Sequence, residues 1–178
     1  NNGGAGFLVN LASLFYRFNP NAIGANGVYS LVGVENVTGS NFSDSITGDG
    51  LANVLNGGGG NDAINGGGGN DFINGGLGND TLTGGAGSDT FQFLTAPNTA
   101  TNRDVITDFN AALDTMQLDN AFFALLGAPG ALAANLFKNL NLGAQDADDR
   151  ILYNDTTGFI MYDTNGLAAG GVIHFATL

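Results

Sequence analysis

The chain has 178 residues, with 30 Gly, 16 Asp and Glu against 4 Lys and Arg, one His, no Cys and a net charge of −12. Nucleic acid and anionic membranes both need a basic surface, so this balance argues against either as a partner. Zero Cys rules out a disulfide framework and thiolate metal sites, one His leaves no His-rich zinc site, and no apolar run approaches the roughly 18 residues of a membrane span. With no starting Met and no basic-then-apolar leader, the chain is expected to be part of a longer polypeptide.

Fifteen of the sixteen acids are Asp, with Glu35 as the exception, and no Lys or Arg lies between Arg17 and Arg103. Short, stiff carboxylates without a nearby cation point to ligands more than to a solubilising coat. A 43% apolar fraction with 13 Phe argues against the disorder common in acidic chains.

In chain order, residues 1–29 read as a flank. The apolar stretch 7–18 is expected as a strand or short helix over the first coil, because a solenoid needs a covered end. Residues 30–92 carry an internal repeat. Four tandem nonads fit G-G-x-G-x-D-x-U-x, with U a large apolar residue: 57–65, 66–74, 75–83 and 84–92. Upstream the phase persists with glycines lost, so that Asn53 and Leu55, Asp44 and Ile46, and Glu35 and Val37 occupy the sixth and eighth positions. A flexible Gly-rich linker would not explain Asp at every ninth place with an apolar residue two positions later.

The physics of the nonad predicts its shape. Six Gly-rich residues form a turn, because several must take positive φ or bring bare backbone close to a ligand. The remaining x-U-x makes a minimal strand with U pointing inward. Two turns and two strands close a coil of 18 residues. Val37, Leu55, Ile73 and Phe91 then line one sheet, and Ile46, Ile64 and Leu82 the other. Asp44, Asp62 and Asp80 stack on one edge; Asn53, Asp71 and Asp89 stack on the other. Carboxylates about 4.8 Å apart repel by roughly 3–4 kcal/mol at an effective dielectric near 20. A Ca²⁺ ion at about 2.4 Å from each oxygen fits between two layers, whereas Mg²⁺ needs about 2.1 Å and keeps its waters.

The nonads resemble the hemolysin-type repeat of RTX (repeat-in-toxin) proteins, a calcium-binding parallel β-roll. The resemblance implies one ion between a turn and the turn two further on. The earlier turn would give its second and fourth carbonyls and its Asp, and the later turn its first and third carbonyls and its Asp. One site so implied takes Gly58, Gly60, Asp62, Gly75, Leu77 and Asp80. The next takes Gly67, Gly69, Asp71, Gly84, Ala86 and Asp89. A third takes Ser40, Phe42, Asp44, Gly57, Gly59 and Asp62. A fourth takes Asp49, Leu51, Asn53, Gly66, Gly68 and Asp71, weakened because Asn53 is neutral. A fifth, through Glu35 and Asn53, departs furthest from the pattern. Gly76 and Gly78 complete the candidate ligands of the roll.

Residues 93–178 are expected to form a β-rich cap. Asp104-Val105-Ile106-Thr107-Asp108-Phe109 reads as a strand and resembles the DxIxDF segment of the serralysin-type C-terminal domain. There, acids such as Asp104 and Asp108 can hold a further calcium with the last repeats, while solvated strand-end acids are the alternative. Residues 121–126, stopped by Gly127, suggest a short helix, and residues 131–140 a second. Residues 150–153 and 159–162 read as a hairpin and 172–177 as a third strand. The run 146–166 again resembles the serralysin-type domain, whose members usually continue past a segment like the one ending at Leu178. Asp163-Thr164-Asn165-Gly166 looks like half an EF-hand loop but lacks its other acids, and reads as a turn. His174 alternates with apolar neighbours, and the chain has neither H-E-x-x-H nor G-x-S-x-G.

The expected protein is all-β: a right-handed parallel β-roll with a β-rich cap holding one or two short helices. It would bind three to six Ca²⁺ ions and fold on calcium outside a Gram-negative cell. It would be non-catalytic, supporting type I secretion and the stability of a larger protein, with the secretion machinery and the rest of the polypeptide as partners. The alternative is an adhesin or surface-layer module whose roll face binds a partner or a polysaccharide. The seventh-position residues Ser45, Val54, Ala63, Phe72, Thr81 and Thr90 form no uniform row that would favour it.

Overall fold

A computed structural model describes residues 16–17, 28–30, 36–127, 130–131, 137–142, 145, 147–166, 168 and 170–178. The strands are β1 (Tyr16–Arg17), β2 (Val28–Ser30), β3 (Asn36–Thr38), β4 (Ser45–Thr47), β5 (Val54–Gly59), β6 (Ala63–Gly68), β7 (Phe72–Leu77), β8 (Thr81–Ala86), β9 (Thr90–Phe93), β10 (Asp104–Ile106), β11 (Thr115–Leu118), β12 (Phe137–Asn139), β13 (Ile151–Asn154), β14 (Phe159–Asp163) and β15 (Val172–Thr177). Consecutive strands from β1 to β11 alternate between two sheets. One is ordered β1-β3-β5-β7-β9-β11, and the other β12-β13-β14-β15-β10-β8-β6-β4-β2. Every pairing between the roll strands is parallel. This is a parallel β-roll.

The register follows the nonad. Val37 pairs with Leu55, Leu55 with Ile73, and Ile73 with Phe91; Ile46 pairs with Ile64, and Ile64 with Leu82. All seven are at most 2% exposed, so the eighth positions form one continuous core. Fully burying one such side chain is worth about 1.5–3 kcal/mol. The strands exceed the minimal three residues expected. In β5 to β8 they run on into the turn glycines, and Gly58 pairs with Gly76 and Gly67 with Gly85. With a turn of the same glycine pattern 18 residues away, the turn backbone stacks in register as the strands do.

The nonads end at Gln92, but the sheets continue. β10 pairs with β8 and β11 with β9, so Ile106 lies beside Leu82 and Met116 beside Phe91. Upstream, Tyr16 pairs with Val37 and Tyr29 with Ile46. The rest of the 7–18 stretch and Glu35 lie outside the described residues.

The antiparallel hairpin β13–β14 forms where expected, with Gly158 at φ 73° in its turn. β15 is antiparallel to β14 and parallel to β10, which makes the hairpin an extension of the second roll sheet. Phe175 packs edge-on against Phe93 and Phe123, at ring centroid distances of 5.1 Å, and ties cap to roll.

The helical expectations need correction. The first reduces to a single 3₁₀ turn, Ala124–Leu126, ended by Gly127. Of the second, residues 137–139 form strand β12, paired with β13; residues 132–136 lie outside the described residues. Pairing with an existing sheet edge outweighs a local helical preference over so short a run. Among the described residues no helix is long and apolar enough to cross a membrane.

Candidate metal sites along the roll edges

The glycine pattern of one turn, residues 66–71, shows what builds each edge. A Cβ on Gly66 would stand 2.1 Å from Asp71 Oδ2 and 2.6 Å from the Gly84 carbonyl oxygen, so the first position must be bare. Gly67 and Gly69 both sit at φ 97°, where an L side chain is strained. A Cβ on Gly68 would have its nearest neighbour at 3.6 Å, so the third position is open. That accounts for Leu77 and Ala86 at the same position, Leu77 pointing into solvent.

The sixth-position side chains form two ladders. On one edge Asp62 Oδ1 accepts the Asp44 N–H at 2.7 Å, and Asp80 Oδ1 accepts the Asp62 N–H at 2.8 Å. On the other, Asp71 Oδ1 accepts from Asn53 at 2.8 Å and Asp89 Oδ1 from Asp71 at 2.9 Å. Each carboxylate thus spends one oxygen on the previous coil. The other oxygen, Oδ2 of Asp62, Asp71, Asp80 and Asp89, is buried and has no hydrogen-bond partner.

These bare oxygens do not stand alone. A Cβ on Gly57 would lie 2.2 Å from Asp62 Oδ2 and 2.5 Å from the Gly75 carbonyl, the same arrangement found around Gly66. Carboxylate and carbonyl oxygens therefore converge within about 5 Å of each other, a separation one Ca²⁺ can span with Ca–O bonds of 2.3–2.6 Å. The Leu77 and Ala86 carbonyls accept the Gly60 and Gly69 N–H groups at 2.9 and 2.8 Å, which leaves each a second lone pair. Among the described residues no three carboxylate or imidazole side chains converge on one point. The donor set is instead carboxylate plus backbone carbonyl, hard oxygen ligands suited to calcium.

The electrostatics agree with the geometry. Burial pushes Asp62 up to about 7; the Asp44 N–H opposes this, and the Asp80 and Asp44 carboxylates add to it. Asp104 is pushed up to about 8, first by burial and then by the Asp80 charge. Asp71, Asp80 and Asp89 are raised as well, each chiefly by burial. A buried carboxylate without a counter-charge takes up a proton or a cation.

The upstream turns differ. Asp44 Oδ2 accepts the Ser40 N–H at 2.7 Å and the Ser40 Oγ–H at 2.9 Å, and Asn53 Oδ1 accepts the Asp49 N–H at 3.0 Å. Phe42 and Leu51 expose their side chains, so these residues can offer an edge site only backbone.

Past the nonads, Asp104 Oδ1 accepts the Asp80 N–H at 3.1 Å and continues the first ladder. Asp108 takes a different place, with its two oxygens accepting the Gly84 and Gly85 N–H groups at 2.9 and 2.8 Å. The second ladder is continued by Asp114, whose Oδ1 accepts the Asp89 N–H at 3.0 Å. Sequence reasoning missed Asp114 because it lies 25 residues from Asp89 and not 18. The signal was present without the glycines: Asp114-Thr115-Met116 repeats the D-x-U of Asp89-Thr90-Phe91. The Asp163 loop is a turn, with Oδ1 accepting the Asn165 and Gly166 N–H groups. His174 Nε2 contacts the Ala176 carbonyl at 2.8 Å and Thr177 Oγ1 at 3.0 Å inside the cap.

The sequence profile of the RTX calcium-binding nonapeptide repeat, four copies long, matches residues 38–73 and again residues 56–91. This stretch is an array of RTX nonapeptide repeats, which as a class bind calcium. No curated protein matches the chain. Among solved structures, the AlgE6R3 subunit of the mannuronan C5-epimerase of Azotobacter vinelandii is similar at 26% identity, over 80% of this chain and 70% of that one, with a TM-score of 0.47.

Proposed function

We propose that the chain is a calcium-folded module. Gly58, Gly60, Asp62, Gly75, Leu77 and Asp80 would hold one ion, and Gly67, Gly69, Asp71, Gly84, Ala86 and Asp89 a second. The observation that carries the reading is the set of four buried, partnerless Asp Oδ2 atoms, two of them each beside a carbonyl of the following coil. Two more ions would sit at the ladder ends, between the turn of Asp80 and Asp104 and between the turn of Asp89 and Asp114, whose Oδ1 atoms accept the Asp80 and Asp89 N–H groups. When bound, calcium neutralises the stacked carboxylates. The residues of the chain set the coil spacing, aim the oxygens and exclude water.

The role follows from mass action, since an ion that binds only the folded chain adds stability by RT ln(1 + [L]/Kd). In a compartment poor in free calcium the acidic, Gly-rich roll stays unfolded and fit for export. In millimolar calcium outside the cell it folds. This supports a secreted module of residues 30–92 with a serralysin-type cap over 93–178, exported by a type I route and serving a larger, separately active polypeptide. The module itself is non-catalytic in this reading.

The test is circular dichroism in chelator against millimolar Ca²⁺. At pH 8.5, above the range in which Asp62 and Asp104 hold protons, strand should appear only with Ca²⁺, and Mg²⁺ at the same concentration should not replace it. Equal strand content with and without chelator would overturn the proposal.

A further inference from the structure

The two turns upstream of the perfect nonads keep an oxygen-bearing side chain at the sixth position, Asp44 and the neutral Asn53, but lose glycine at the second position, to Ser40 and Asp49, and at the fourth, to Phe42 and Leu51. The consequence is a pair of hydrogen bonds. The second-position N–H turns inward onto the sixth-position oxygen, Ser40 to Asp44 Oδ2 at 2.7 Å and Asp49 to Asn53 Oδ1 at 3.0 Å. The second-position side chain then accepts the fourth-position N–H, from Phe42 to Ser40 Oγ at 3.1 Å and from Leu51 to Asp49 Oδ1 at 2.9 Å. In the perfect nonads a glycine at positive φ holds the second position. The Gly58 N–H donates to Asn56 Oδ1 at 3.0 Å, and the Gly85 N–H to Asp108 Oδ2 at 2.8 Å. No protein donor reaches the sixth-position Oδ2 there.

The oxygen that would face the ion is otherwise placed alike in both kinds of turn. A Cβ on Gly39 would lie 2.7 Å from Asp44 Oδ2 and 2.3 Å from the Gly57 carbonyl, and a Cβ on Gly48 would lie 2.2 Å from both Asn53 Oδ1 and the Gly66 carbonyl. The difference is therefore one of occupancy by N–H and O–H donors. Two donors on Asp44 Oδ2 occupy both of its lone pairs, and the donor on Asn53 Oδ1 repels a cation from an oxygen that carries no charge to hold it.

Resting on the calcium reading above, we infer that Ser40 and Asp49 are specificity-determining residues that close their turns to metal. The gaps between turns 39–44 and 57–62, and between 48–53 and 66–71, are sealed by the chain's own donors. Calcium is confined to the gaps that start at Asp62, Asp71, Asp80 and Asp89. The first two turns thus form a metal-free extension of the roll, stacked on coils that do need the ion.

The experiment counts ions on the intact 178-residue chain by native mass spectrometry in millimolar calcium, with circular dichroism to confirm folding. The parent should carry four. Ser40→Gly should add one ion, and Asp49→Gly with Asn53→Asp, which also restores the carboxylate, should add one independently. Two sets of substitutions at separate turns keep the test alive if one fails to fold. Folded variants that keep the parental count would overturn the inference, and so would a parent that already carries six. A parent with no bound calcium would instead overturn the calcium reading itself.

Discussion

Gly66 and Gly68 stand two residues apart in one turn, yet a methyl group should affect them very differently. At Gly66 the new Cβ meets Asp71 Oδ2 at 2.1 Å and the Gly84 carbonyl at 2.6 Å, which are the two oxygens assigned to one ion. Gly66 is not at positive φ, so Gly66→Ala adds no φ strain, but its methyl crowds Asp71 and the Gly84 carbonyl with or without an ion, and the ion count is the readout that isolates the metal site. Methyl and ion cannot share that space. Losing one ion at about 100-fold excess over Kd removes about 2.7 kcal/mol, near a hundred-fold in the folded-to-unfolded ratio. At Gly68 the nearest atoms lie at 3.6 and 3.9 Å, ordinary contact distances. Gly68→Ala should be neutral or stabilise by about 0.4–1 kcal/mol through a less flexible unfolded chain. In urea unfolding at saturating calcium the two variants should therefore differ by at least about 3 kcal/mol, the clash adding to the lost ion, and Gly66→Ala should carry one ion fewer. Equal stability and equal ion counts would show that the cradle is not a metal site.

In chelator, acid should promote the fold. The folded chain holds protons on Asp62 and Asp104 up to about 7 and 8, while the unfolded chain releases them near 3.8. Metal-free stability from these groups is present below pH 3.8 and lost as pH rises through 7–8. Strand content in chelator should therefore be higher at pH 5 than at pH 8.5, and the reverse order would contradict the burial argument. Asp71→Ala removes the free oxygen of one gap and the acceptor of the Asn53 N–H, so it should lower the ion count and raise the calcium midpoint. Asp163→Ala strands two N–H groups in the cap, at about 1–3 kcal/mol, and should leave the ion count unchanged. Identical ion counts for both variants would move the metal sites away from the ladder.

The core rows and the two Asp ladders of the roll were legible in the chain itself, because a strict period turns sequence distance into spatial position. Once nine residues make half a coil, Leu55 must lie beside Ile73 and Asp62 beside Asp80. The glycine positions were legible for the same reason, although which glycines serve φ and which serve clearance came only from the coordinates. Where the period breaks, local information fails. Asp114 joins the second ladder across 25 residues, and β15 returns to pair with β10 across the whole cap. Residues 137–139 of the apolar run 131–140 form a sheet edge and not a helix because strand β13 offers them a partner. The closing of the upstream turns likewise depends on where an N–H points, a consequence of backbone conformation that residue type alone leaves open. Sequence by itself determined everything that translation along the roll repeats. Tertiary structure decided what happens at its two ends, where the contacts are long-range and no repeat carries their spacing.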